Sequence, residues 1–124
     1  MREEKKAEKG GAFKEEVVDI GKKITFDWYS YGATVERTTS EVYSGVIQRA
    51  IFIPQDVEGE YEVTVKDKDG VDVLVGGGAR LSHETAVQLT PATTTSISTV
   101  VSNTKLTFAV TGNGEGRVII YISG

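Results

Sequence analysis

The sequence predicts an all-β protein: an antiparallel β-sandwich or small barrel of about seven to eight strands, with a charged N-terminal helix or arm. Three observations carry this. From Lys22 onward, apolar residues recur at every second position, the period of a half-buried strand. The apolar runs are short and separated by Gly, Asn and Asp turns. No segment repeats at a period of roughly 20–50 residues, which excludes solenoids and propellers.

The first 21 residues differ from the rest. They hold eleven charged side chains and only a few apolar ones. "EEKKAEK" is helix-forming, with acids preceding bases, and Gly10-Gly11 interrupts it. "AFKEEVVDI" places Phe13, Val17 and Ile20 at i, i+4 and i+7, an apolar stripe on a short helix. Residues 1–21 therefore read as a leader, either a helix docked on the domain or an arm that orders on a partner. Residues 22–124 read as the β domain.

Within that domain "ITFDWYS" sets Ile24, Phe26 and Trp28 against Thr25, Asp27 and Tyr29. "YEVTV" sets Tyr61, Val63 and Val65 against Glu62 and Thr64, and "KLTFAVT" does the same with Leu106, Phe108 and Val110. "VDVLV" sets Val71, Val73 and Val75 against Asp72 and Leu74. "VIQRAIFI" is β-branched but less regular. "RVIIYIS" is apolar on both faces, as expected of a central strand or one covered at an interface. Residues 85–104 carry no charge, and ten of them are Ser or Thr. A β-prone stretch without charges has to be paired in the fold or covered by a neighbouring chain.

"YEVTVKDKDGVDVLVGGGARLS" raises the question of a binding site. Asp67, Asp69 and Asp72 resemble part of a calcium loop, but position twelve counted from Asp67 is Gly78, not a glutamate, and the glycine falls too early. The hairpin reading accounts for more. A three-residue loop, Lys68-Asp69-Gly70, pairs Val65 with Val73 and Val63 with Val75, so that the valines share a face and Gly70 is a left-handed bulge. A weak calcium site is the alternative. "GGGARLS" lacks the lysine of a phosphate-binding loop and precedes no helix.

No catalytic, cofactor or metal site is expected. There is no cysteine, and His83, the single histidine, neighbours Glu84, which a strand would turn to the opposite face. The net charge of −4 with dispersed bases argues against nucleic acid. The N-terminus is charged, not a signal peptide, and no run is long enough to span a membrane as a helix, so synthesis in the cytoplasm is expected. Trp28 shares its parity with Ile24 and Phe26 and belongs to the core; Tyr29 and Tyr31 lie on the other parity and are candidates for a contact surface.

Several segments together resemble small structural proteins of tailed bacteriophages, of the head decoration or auxiliary type. They are "ITFDWYS", "YSGVIQRAIFIP", "GEYEVTVKDKDGVDVLVGGGA" and "KLTFAVTGNGEGRVIIYI", over roughly residues 24–123. The parts that match are Asp27-Trp28, Ser44-Gly45, Tyr61 to Thr64, Asp69 to Leu74, Gly76 to Gly78, and Asn113-Gly114 in the turn of a closing hairpin. The resemblance implies a non-enzymatic virion protein that contacts the major capsid protein or other virion proteins, as a homo-oligomer or many-copy assembly. Whether it would be a decoration, adaptor, collar or tail component stays open. Phe13, Val17, Ile20, Tyr29 and Tyr31 are the expected partner-binding residues. A carbohydrate- or receptor-binding module using Tyr29, Tyr31 and Tyr43 is the alternative.

Overall fold

The computed structural model describes residues 9–19, 21–90 and 100–123. Six antiparallel strands form one sheet among these residues: β1 (Lys9–Val18), β2 (Gly21–Thr38), β3 (Tyr43–Lys66), β4 (Val87–Leu89), β5 (Val100–Thr104) and β6 (Thr107–Ser123). Their order is β1-β2-β6-β3-β4, with β5 also paired to β3. In place of seven or eight short strands there are three long ones, β2, β6 and β3, side by side through the centre.

The pairing of the long strands is interrupted by irregularities. β2 shifts register between Ser30 and Ala33, and β3 shifts at Ile47/Arg49, Pro54/Asp56 and Glu58/Glu62. β6 passes straight through Asn113-Gly114, so the expected closing hairpin is absent. Gly114 has φ +140°, and a Cβ there would lie 1.9 Å from the Asp56 carbonyl oxygen. Only glycine permits the bent strand to lie that close to β3.

The bends fold the sheet back on itself. Phe26 pairs with Val118, ten positions beyond Phe108 on β6 (118 − 108), a separation of about 33 Å along a straight strand. Yet the Phe26 and Phe108 ring centroids are 5.5 Å apart. The core fills this fold: Ile24, Phe26, Val35, Phe52, Val63, Phe108, Val118 and Ile120 are all buried. The alternation read in "ITFDWYS", "YEVTV" and "KLTFAVT" points the expected residues inward.

The helix expected near residues 13–20 is not present. Lys9–Val18 is a strand, paired residue by residue with β2 from Lys9↔Ser30 to Val18↔Gly21. A separation of four shares a face in a helix and in a strand alike, so Phe13 and Val17 could not distinguish the two. Gly10-Gly11 does: a Cβ on Gly10 would lie 2.4 Å from the Tyr29 hydroxyl oxygen, and one on Gly11 2.4 Å from the Phe26 ring. The pair is a strip of bare backbone lying on two aromatic rings, not an interruption. Phe13 stacks on Phe26 at 4.7 Å and meets Phe108 edge-on at 5.2 Å. Residues 9–18 of the charged leader thus belong to the sheet; Ile20 and residues 1–8 lie outside the described residues.

The uncharged stretch supplies β4 and β5, which pair with Ala50 to Phe52 and with Tyr43 to Val46 and so cover the β3 edge. Residues 91–99 lie outside the described residues.

Candidate interaction site

The aspartate cluster is turn chemistry. Asp67 Oδ1 accepts the Asp69 and Val71 amides at 2.9 and 3.1 Å. Asp72 accepts Leu74 N at 3.0 Å and Gly76 N at 2.9 Å. The loop register is the expected one: Val73 N donates to Val65 O at 2.7 Å, and Gly70 is left-handed at φ +82°. Beyond Val73 the hairpin expectation fails. Val63 N bonds Gly78 O instead, and Val73 and Leu74 are both buried while Val71 and Val75 are exposed. The Asp72 carboxylate pulls the chain into successive turns rather than a strand.

His83 and Glu84 also depart from expectation. The segment is a bend, and His83 Nε2 lies 3.6 Å from Glu84 Oε2, both side chains well exposed. Ser82 Oγ accepts the Glu84 amide, so the three neighbours form a local turn rather than a nucleophile–base–acid relay. Among the described residues no three His, Asp or Glu side chains are grouped to hold a metal ion, and no helix is long and apolar enough to cross a membrane.

The expected contact residues scatter. Phe13 packs into the core, Val17 is 78% exposed, and Tyr31 is 47% exposed with its hydroxyl donating to Glu115 Oε2 at 2.9 Å. That bond raises the Tyr31 pKa. Tyr29 is half-buried against Gly10. Tyr43, a candidate sugar platform, is buried; its hydroxyl donates to Glu15 Oε1 at 2.6 Å.

Register brings together residues that the sequence keeps apart. On the outward face of the half-sheet formed by residues 21–30, 116–123 and 46–54, three cross-strand rows lie side by side. They are Lys23–Tyr121–Arg49, Thr25–Ile119–Ile51 and Asp27–Arg117–Ile53. Ile51, Ile53, Ile119 and Tyr121 are half-buried. Lys23 and Arg49 sit 5.8 and 5.6 Å from the Tyr121 ring centre. Arg49 Nε donates to Gln88 at 2.5 Å, and Arg117 Nε donates to Asp27 Oδ1 at 2.6 Å, a bond that raises the Arg117 pKa. The result is an aliphatic–aromatic centre with a cationic rim. Its one sequence signal was "RVIIYIS", apolar on both faces; Ile51 and Ile53 join it only once β3 is aligned on β6.

Beside this patch is an open cleft of about 370 Å³. The backbone of the Gly11–Trp28–Gly116 row forms its floor, since neither glycine carries a side chain and Trp28 points inward. Asp27, Tyr29, Gln55 and Glu115 stand around it.

Comparison of the chain with protein-family models, curated proteins and solved structures returns no match.

Proposed function

We propose that the protein is a non-enzymatic structural component of a tailed-phage particle, a capsid decoration or auxiliary protein acting through protein–protein contacts. In this reading the folded-over sheet is a β-sandwich, present in many copies in the virion and bound to the major capsid protein or another virion protein. The observation that carries it is the outward patch of Ile51, Ile53, Ile119 and Tyr121, with Arg49 and Lys23 over the ring. Aliphatic and aromatic area beside arginine is the composition of a protein contact centre. The resemblance of residues 24–123 to phage structural proteins supplies the particle. The test is co-sedimentation with heads of the parent phage that lack the protein. The wild-type chain is expected to sediment with them, and Ile51→Lys to remain in the supernatant while its circular dichroism is unchanged. Failure of the wild-type chain to bind heads, tails or assembled particles overturns the reading.

The cleft favours a second reading, a carbohydrate-binding module. An aromatic wall with two carboxylates and an amide suits a polyhydroxylated ligand, which needs a stacking face and several hydrogen-bond acceptors. Glycan-array binding lost on Tyr29→Ala supports it; an empty array removes it.

A further inference from the structure

We propose that the edge of β1 turned away from β2, unpaired among the described residues, pairs with β1 of a second copy, antiparallel about a two-fold axis, so that two sheets join into one. This goes beyond the virion reading and does not rest on it.

β1 is the outermost strand of the sheet. Its ten residues bond β2 along one side, and no backbone bond along its other side is made among the described residues. The opposite border of the sheet is closed by β4, β5 and the Tyr61–Leu81 bridge. β1 contains no proline and no bulge against β2. An edge of this length and regularity is a template for another strand.

The chemistry of β1 selects a second copy as the occupant and fixes its register. In a continuous two-fold sheet, inward residues must face inward residues, so the numbers of facing residues add to an even total. Phe13, Glu15 and Val17 share one face, and Lys14 and Glu16 share the other, where Lys14 Nζ lies 3.7 Å from Glu16 Oε2. A total of 28 would set Lys14 against itself. A total of 26 sets Lys14 and Glu16 against Ala12 and Gly10, and a total of 24 sets Lys14 against Gly10 and carries Glu16 past the end of β1. A total of 30 sets Lys14 against Glu16 of the other copy, twice, and covers the exposed Val17 with Phe13. It also places Glu15 against its own copy on the axis. That contact is tolerable because each Glu15 carboxylate is turned into its own subunit, accepting Ser40 N, Ser40 Oγ, Glu41 N and the Tyr43 hydroxyl.

The test is sedimentation equilibrium of the full chain and two charge reversals. The wild type is expected to dimerise reversibly. K14E and E16K each convert two attractions into two repulsions and are expected to weaken the dimer by roughly tenfold or more. Both sites are on the surface, so melting should change little. An equimolar mixture of K14E and E16K restores opposite charges at every facing position and is expected to recover a mixed dimer. The double variant K14E/E16K is expected to dimerise as the wild type does. A wild-type chain that stays monomeric throughout the micromolar range overturns the proposal. So does a dimer indifferent to the single reversals, or two variants that fail to associate on mixing.

Discussion

The same three strands, β2, β6 and β3, present two unlike outer faces. Where residues 33–38, 107–112 and 62–66 pair, the outward rows read Thr34–Thr111–Glu62, Glu36–Ala109–Thr64 and Thr38–Thr107–Lys66. Threonine hydroxyls meet across the strands, Thr34 with Thr111 at 3.0 Å and Thr38 with Thr107 at 2.8 Å. In the other half the outward positions hold Ile51, Ile53, Ile119 and Tyr121. Pairing and strand direction are the same in both, and both inner faces are apolar: Val35, Val110 and Val63 in one, Phe26, Val118 and Phe52 in the other. Folding thus asks the same of each half, and the threonine half shows that it is met with a polar exterior. The isoleucines and Tyr121 are surplus to the sheet, which is why the proposed contact is placed on that face. β1 sharpens the contrast, since it flanks only residues 21–30 of β2.

The halves share one core. Phe108 belongs to the threonine half yet touches Phe13 and Phe26 of the other. Phe108→Ala is expected to destabilise the whole protein by about 3–5 kcal/mol. Urea unfolding followed by Trp28 fluorescence, which reports on the opposite half, should shift as far as circular dichroism does. A Trp28 transition that stays put would mean two separable halves.

The next effect originates in the threonine half. Gly70 closes the loop that continues β3 at φ +82°, with open space where a Cβ would stand. Strain, not collision, is therefore the cost of a side chain. Gly70→Val is expected to cost roughly 1–3 kcal/mol in thermal unfolding, and Gly70→Asn clearly less. Equal losses would argue against the bulge.

Such features divide into those a one-dimensional pattern can hold and those it cannot. The loop at Lys68 to Gly70 was legible because parity forces valines to share a face. The inward sets of β2, β3 and β6 were legible for the same reason. The long strands were not, because Pro54 to Gly59 and Asn113-Gly114 spell turns, and only the register of a neighbouring strand shows the chain running on. β1 reads as a helix in the sequence because Phe13 and Val17 satisfy both periods, and the bare strip at Gly10-Gly11 is explained only by rings that come from β2. The outer patch needs Ile51 to be aligned on Ile119, a relation between residues far apart in sequence; parity alone points to Tyr29 and Tyr31, which lie beside it, on the cleft and its margin.

A smaller effect concerns what ties β1 to residues 40–43, between β2 and the body of β3. Burial pushes the Glu15 pKa up, but hydrogen bonds from Tyr43, Ser40 and Glu41 outweigh it and leave the pKa below its usual 4.5. A pKa lower in the folded state means stability that is complete above the unfolded value. It is lost as pH falls through the folded value. The wild type should therefore lose stability below about pH 4.5 in part through Glu15. Glu15→Gln, expected to cost about 1–2 kcal/mol at neutral pH, should flatten that part of the profile. An unchanged acid limb in thermal melts would remove Glu15 as a clamp.

The smallest expected effect is on the threonine face, and it tests the claim that this face is only exterior. Thr34 and Thr111 face each other directly, both exposed, with one hydroxyl donating to the other. Water competes for the same hydroxyls, so the coupling should be slight. A double-mutant cycle of Thr34→Val and Thr111→Val is expected to give a coupling of about 0.2–1 kcal/mol. Valine keeps the β-branched shape, so the strands should stay in register and the melting temperature should move little for either single change. The same variants should bind phage heads as the wild type does, whereas Ile51→Lys, a single change on the other half, should not. A Thr34→Val or Thr111→Val chain that folds normally but loses head binding would place the contact on the hydroxyl face. The surplus of apolar residues on the opposite half would then need another explanation.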